Sequence, residues 1–296
     1  MKSKHEFGVD QQAVSSIRAQ LRAGQLKQAL KASQLLTNNQ SSCAEHWLAF
    51  SEVLAHPKIT GDALSAVNCA VQIEPKNSRY QSQRASCLLL AGDFSEAQTV
   101  AERALTLGDL SAITLDQLGN VLNSCGELDA AHACFERAVK QHPESPHFLF
   151  NLATLQRAMG KLSESEVSFT RIIAMRPTDS AAYLARSSLR TLTPDSNYIS
   201  ELESQLQETE KNSDSEIRLC YALAKELEDT ADYSKAFHYL QRGSTVRRKR
   251  MDYRVEHDIE AMNKISKVFS ADSLQNITEG YDTEEPIFIL GLPRTG

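Results

Sequence analysis

The chain has 296 residues, 41% hydrophobic and 24% charged, with 12 glycines and 8 prolines, a composition that excludes collagen-like, low-complexity and globally disordered chains. Aromatics are scarce at 6%, and the abundance of Ala, Leu, Gln, Ser and Glu favours helices over a β-sandwich. A formal net charge of −6 argues against nucleic-acid binding by bulk electrostatics, and no apolar run approaches the roughly 20 residues of a membrane-spanning helix.

The first ten residues hold two lysines with no apolar stretch behind them, so they do not read as a secretory signal. Cysteines 43, 69, 87, 125, 134 and 220 lack CxxC spacing. They are expected to be buried reduced thiols, and the chain is expected to be cytoplasmic. From residue 10 onward a period of 34 residues organises the sequence. Ala29, Ala63, Ala97 and Ala131 form one column, and Ala70, Ala104 and Ala138 a second. Gly24, Gly92, Gly126 and Gly160 form a third, with Lys58 in its empty slot. Pro75, Pro143 and Pro177 keep the same step, with Asp109 where a fourth would fall.

Residues 112–145 show what each column does. Apolar residues in 115–122 recur at helical spacing, and Gly126 supplies the left-handed residue that ends that helix. A second helix then places Ala131, Phe135 and Ala138 on one face and stops at Pro143. Gly119 and Ala131 are small because two antiparallel helices approach closely there.

These columns resemble the tetratricopeptide repeat (TPR). Trp47, Ala63, Ala70 and Pro75 match its pattern in 44–77, and Leu118, Gly119, Leu122, Ala131, Phe135, Ala138 and Pro143 match it in 112–145. The repeats 10–43, 78–111 and 146–179 are weaker but in phase, which makes five repeats over 10–179; the last carries Ser165 and Ile172 where alanines are expected. Residues 180–216 form a divergent helical segment, with a helical start at 181–192, a break at Thr193-Pro194-Asp195-Ser196 and a polar helix around 199–209. Leu223, Ala224, Leu227, Ala236, Leu240 and Gly243 make 217–250 a TPR-like helix pair, followed by a helical linker over 251–285.

The resemblance implies an all-α superhelix of helix pairs whose concave groove takes a peptide or protein ligand. Its groove positions read Arg79, Ser82, Gln83, Ser86 and Leu89, then Ile113, Asp116, Gln117, Asn120 and Asn123, then His147, Phe150, Asn151, Thr154 and Arg157. This mixture is polar and close to neutral, which favours an extended peptide over nucleic acid. Asn120 and Asn151 occupy slots used by the carboxylate clamp of chaperone-binding TPR proteins. Asp116 and Ala181 stand where that clamp needs lysines, and Ala185 where it needs a cation, so no clamp is expected. His142 and His147 flank a turn without a carboxylate or thiol set to complete a metal site, so no metal is expected. Arg247-Arg248-Lys249-Arg250 reads as a solvated helix end favoured by the macrodipole, with contact to a polyanionic ligand as the alternative.

After residue 280 the pattern changes. Ile287-Phe288-Ile289-Leu290 is rich in β formers and leads into Gly291-Leu292-Pro293-Arg294-Thr295-Gly296, as a short strand enters a phosphate-cradling loop. Three readings fit the hexapeptide. It matches the Pro-(Arg/Lys)-(Ser/Thr)-Gly loop of sulfotransferases. It matches a nucleotide P-loop as far as Gly291 and Gly296 but lacks the Lys, and Leu292–Gly296 spells a Leu-Pro-x-Thr-Gly sorting signal. Residues 221–255 resemble the junction of bacterial TPR–sulfotransferase fusions. That resemblance implies a truncated α/β domain beginning at 286–296, with Pro293, Arg294, Thr295 and Gly296 contacting 3′-phosphoadenosine-5′-phosphosulfate. Arg294 would supply the cation and the N–H groups of Thr295 and Gly296 part of the cradle; no catalytic residue is expected within the chain. A plain TPR adaptor and a TPR–P-loop NTPase fragment are the alternatives.

Overall fold

The computed structural model describes residues 4–39, 43–59, 62–108, 110–270 and 273. Fifteen α-helices account for most of these residues, and the only β pairing among them is an isolated bridge between Thr193 and Ser196. The described residues up to 247 form one compact unit and those from 248 onward a second.

In the first unit the helices come in pairs: α1 (Lys4–Arg22) with α2 (Leu26–Asn39), α3 (Ala44–Leu54) with α4 (Ala63–Ile73), and α5 (Ser78–Leu90) with α6 (Phe94–Leu105). Next come α7 (Ala112–Ser124) with α8 (Leu128–Gln141), and α9 (Pro146–Ala158) with α10 (Leu162–Met175). The first helix of each pair packs on the first helix of the next, from α1 through α3, α5 and α7 to α9. Each second helix packs between its own partner and the first helix of the following pair, giving an outer layer.

The alanine columns explain the spacing of the layers. Ala29, Ala70, Ala97, Ala104, Ala131 and Ala138 are fully buried, while Ala63 is half-buried beside Val67 and Ala70. A Cβ on Gly119 would lie 2.7 Å from Phe135 Cε1, so α7 and α8 meet there with no room for a larger residue. Ser165, standing in an alanine slot, is tolerated because its hydroxyl donates to the Ala153 carbonyl at 2.8 Å. Gly126 has φ 89°, and the bond from Glu127 N–H to Leu122 O at 2.9 Å closes α7. The same closure ends α13 (Asp214–Asp229), where Asp232 N–H bonds to Leu227 O at 2.8 Å, but Ala231 takes the left-handed position with φ 66°. An alanine there costs on the order of 1–2 kcal/mol relative to a right-handed backbone.

Residues 180–216 depart from the repeat for a visible reason. The expected helix over 181–192 stops early, as α11 (Ser180–Ser187), and α12 (Ile199–Glu208) follows an irregular stretch. Side chains of α13 capture the backbone between them. Asp229 accepts from Leu192 N–H at 2.8 Å, and Glu226 accepts from Tyr198 N–H at 2.6 Å and from the Ser187 hydroxyl. Arg186, almost fully buried, lies 3.6 Å from the Tyr198 ring centroid and pairs with Glu201. Burial pushes the Glu226 carboxyl pKa upward against the pull of these donors. Both α11 and α12 therefore pack on α13, and α14 (Tyr233–Arg250) closes against it at Gly243, whose added Cβ would meet Cys220 Cβ at 3.0 Å.

The second unit contains α15 (Val255–Val268), preceded by Tyr253, whose hydroxyl donates to Asp258 Oδ2 at 2.5 Å. The strand and loop expected at 286–296, with Pro293, Arg294, Thr295 and Gly296, lie outside the described residues. No helix among the described residues is long and apolar enough to cross a membrane.

Ala131→Arg should lower the melting temperature far more than Asn123→Arg, because the first forces a long cation into a helix–helix contact and the second changes an exposed position. Thermal unfolding followed by circular dichroism checks this, and equal shifts would mean that the repeat is phased wrongly.

Candidate functional site

The inner helices α1, α3, α5, α7 and α9 bring side chains of successive repeats into contact, and the 34-residue step becomes a ladder of polar bonds. At one end Arg18 of α1 bonds Glu52 at 2.6 Å and Glu45 at 2.8 Å. Arg79 of α5 reaches the same two carboxylates from the other side, Glu45 at 3.0 Å and Glu52 at 3.5 Å. The four side chains form a closed ring of alternating charge. Burial works against the Arg18 cation, but its bonds to Glu52 and Glu45 outweigh it and raise the pKa.

The next rungs are uncharged. Gln83 Nε2 donates to Ser51 Oγ at 3.2 Å, and Gln117 Nε2 donates to Gln83 Oε1 at 2.7 Å and to Ser86 Oγ at 3.1 Å. Ser82 Oγ donates to Gln117 Oε1 at 2.8 Å, which leaves the Gln117 amide engaged at both ends.

Asp116 makes the last rung. Its side chain is 10% exposed, and its Oδ1 accepts from Asn151 Nδ2 at 2.7 Å. Its Oδ2 accepts from Asn120 Nδ2 at 3.4 Å and lies 3.0 Å from His147 Nε2. The two asparagines thus face a carboxylate that the chain itself supplies, which removes the position where a clamp would take a ligand carboxylate. His147 is tied to α7 in the same way, and no group of three or more metal-ligating side chains occurs among the described residues.

Of the groove residues read from the sequence, Arg79, Gln83, Asp116, Asn120, His147 and Asn151 belong to the ladder. Asn123 and Arg157, near the ends of α7 and α9, are exposed and stand outside it. Gln83 and Asp116 are buried and bonded to side chains of neighbouring helices, which braces the inner layer.

A hollow of about 540 Å³ opens beside the charged ring, lined by Arg18, Leu21, Arg22, Leu48, Glu52, Arg79, Gln83, Ser111, Ile113 and Gln117. Four inner helices or their caps contribute to it. Ile113 is 71% exposed there, unusual for an isoleucine on an inner helix. Reading the groove from the three central repeats alone missed Arg18, Leu21, Glu45, Leu48 and Glu52. The signal was present: Glu45 precedes Arg79, and Arg18 precedes Glu52, by one repeat length.

Residues 112–155 match the family model described as tetratricopeptide repeat. That stretch spans the pair α7–α8 and the start of α9. Across the rest of the first unit the fold is that of a TPR solenoid. A human IFIT1 dimer with m7Gppp-AAAA aligns with a TM-score of 0.58 at 13% identity, covering 88% of this chain and 64% of that one. PilW, a type IV pilus biogenesis factor, aligns with a TM-score of 0.54 at 16% identity, covering 79% and 97%. At these identities the likeness shows the fold alone. Among curated proteins, the O-mannosyl-transferase TMTC1 of Mus musculus is 28% identical over 149 residues, 48% of this chain. The matched stretch is only 15% of that protein's length.

Asp116→Ala should destabilise the TPR array by about 1–3 kcal/mol, because it leaves the half-buried Asn151 amide without its acceptor, while Asn120 keeps its 2.8 Å bond to the carbonyl of residue 116. Asn123→Ala, at an exposed site, should stay within about 0.5 kcal/mol. Urea denaturation of both variants checks the difference, and equal midpoints would contradict the bracing role.

Proposed function

We propose that the chain is a protein-interaction scaffold that binds an extended peptide segment of a partner in the hollow bounded by α1, α3, α5 and α7. The observation that carries this reading is the hollow itself: a concave site on the inner layer, with apolar Leu21 and Ile113 beside arginines and amides. An extended peptide presents alternate side chains to such a surface, so a few mixed contacts suffice to hold it. The IFIT1 structure carries m7Gppp-AAAA, yet a net charge of −6 and a charge-balanced ring speak against an oligonucleotide here. TMTC1 is named a transferase, but the matched stretch is 15% of its length, and repeats specify no chemistry.

Selection from a random peptide library displayed on phage should recover sequences that bind the wild-type chain. Ile113→Asp should weaken them roughly tenfold or more, the worth of one apolar contact. Undiminished binding by a folded Ile113→Asp variant would place the site elsewhere.

A second reading rests on one sequence feature, the run Ile287–Leu290 followed by Pro293-Arg294-Thr295-Gly296. In this reading the scaffold precedes a sulfotransferase domain that moves the sulfuryl group of 3′-phosphoadenosine-5′-phosphosulfate to a hydroxyl or amine. A polypeptide joining these repeats to such a domain should bind the donor and transfer sulfate, and Arg294→Ala should reduce its transfer rate more than its donor binding. Calorimetry and labelled-sulfate transfer decide it. A folded polypeptide of that kind that neither binds the donor nor transfers sulfate would leave the plain TPR adaptor.

A further inference from the structure

Resting on the peptide-binding reading, we infer that the hollow of α1, α3, α5 and α7 selects partner segments that carry a carboxylate beside an apolar side chain. The argument begins with what the inner face has already satisfied. Gln83 and Gln117 have their amide groups engaged by Ser51, Ser82, Ser86 and each other, and Ser111 is taken up capping α7. These polar groups offer a ligand little that it does not already get from water. A ligand therefore gains most from groups the ladder leaves over.

Two such groups remain in the hollow. One is apolar: Ile113, 71% exposed, with half-buried Leu21 also on the lining. The other is Arg22. Among the described residues no carboxylate pairs with its guanidinium; its one hydrogen bond runs from Nε to the Arg18 carbonyl at 3.3 Å. The charge count points the same way. Arg18, Arg22 and Arg79 line the hollow against Glu52, and adding Glu45 behind the ring still leaves one cation in excess. A guanidinium presents a planar fork of donors that fits a carboxylate, and the ring of Arg18, Glu45, Arg79 and Glu52 holds the neighbouring charges fixed. An incoming lysine or arginine would meet Arg22 with no carboxylate free of the ring to receive it.

The test uses three short fluorescein-labelled peptides in a Gly-Ser background, carrying Glu and Leu, Lys and Leu, or Glu and Ser. Anisotropy titrations with the full chain should show the Glu/Leu peptide binding roughly tenfold tighter than either of the others, with the advantage shrinking as salt is raised. Arg22→Glu should abolish the preference for Glu over Lys, and Arg22→Gln should reduce it. Ile113→Asp should weaken the Glu/Leu peptide to the level of the Glu/Ser one. Circular dichroism confirms that each variant is folded, as the exposure of both positions leads one to expect. Equal binding of the Glu/Leu and Lys/Leu peptides, an unchanged preference in Arg22→Glu, or no binding of any of the three would overturn the inference. The peptide-binding reading fails separately, if library-selected peptides bind Ile113→Asp as tightly as they bind the wild-type chain.

Discussion

Side chains one repeat length apart touch across the inner layer. Arg18 meets Glu52, Glu45 meets Arg79, and Gln83 meets Gln117, each pair separated by 34 residues; Asp116 meets Asn151 at 35. Alanine columns set the distance between helices, and these polar pairs set how one helix pair is rotated onto the next. Apolar contact alone is non-directional and tolerates sliding. A half-buried amide or carboxylate with a single partner geometry does not, because a slipped register leaves its group unsatisfied.

The same economy shapes recognition. An inner face whose amides are bonded to one another is well braced but poorly equipped to read a ligand's backbone. On the proposed reading, specificity falls to what the ladder leaves over in the hollow, an exposed isoleucine and an arginine with no carboxylate partner among the described residues. Asp116 gives the clearest case, since it fills from within the position between Asn120 and Asn151 that a ligand carboxylate would need. One buried carboxylate thus stabilises the array and closes one mode of binding.

The all-helical solenoid was legible in the sequence because its cause is periodic. Gly126 takes the left-handed turn, Ala131 and Ala138 are fully buried, and Gly119 lies against Phe135, each for the reason its column implied. What escaped was aperiodic. The early end of α11 follows from Glu226 and Asp229, which lie on a helix nearly forty residues further on, and no local pattern announces that contact. The left-handed Ala231 escaped likewise, because a non-glycine residue in that conformation leaves no compositional trace. The groove was partly legible: a column rule finds which residues face inward, but not that Gln83 and Asp116 are consumed by neighbours, which depends on side-chain reach.

The central claim is that polar pairs between successive inner helices couple the repeats. A double-mutant cycle on Asp116→Ala and Asn151→Ala, read by urea denaturation, tests it most directly. The account predicts a coupling of about 0.5–3 kcal/mol, as for residues that share one hydrogen-bond network. Additive losses with no coupling would mean that the ladder decorates the inner face and that alanine packing alone fixes the register.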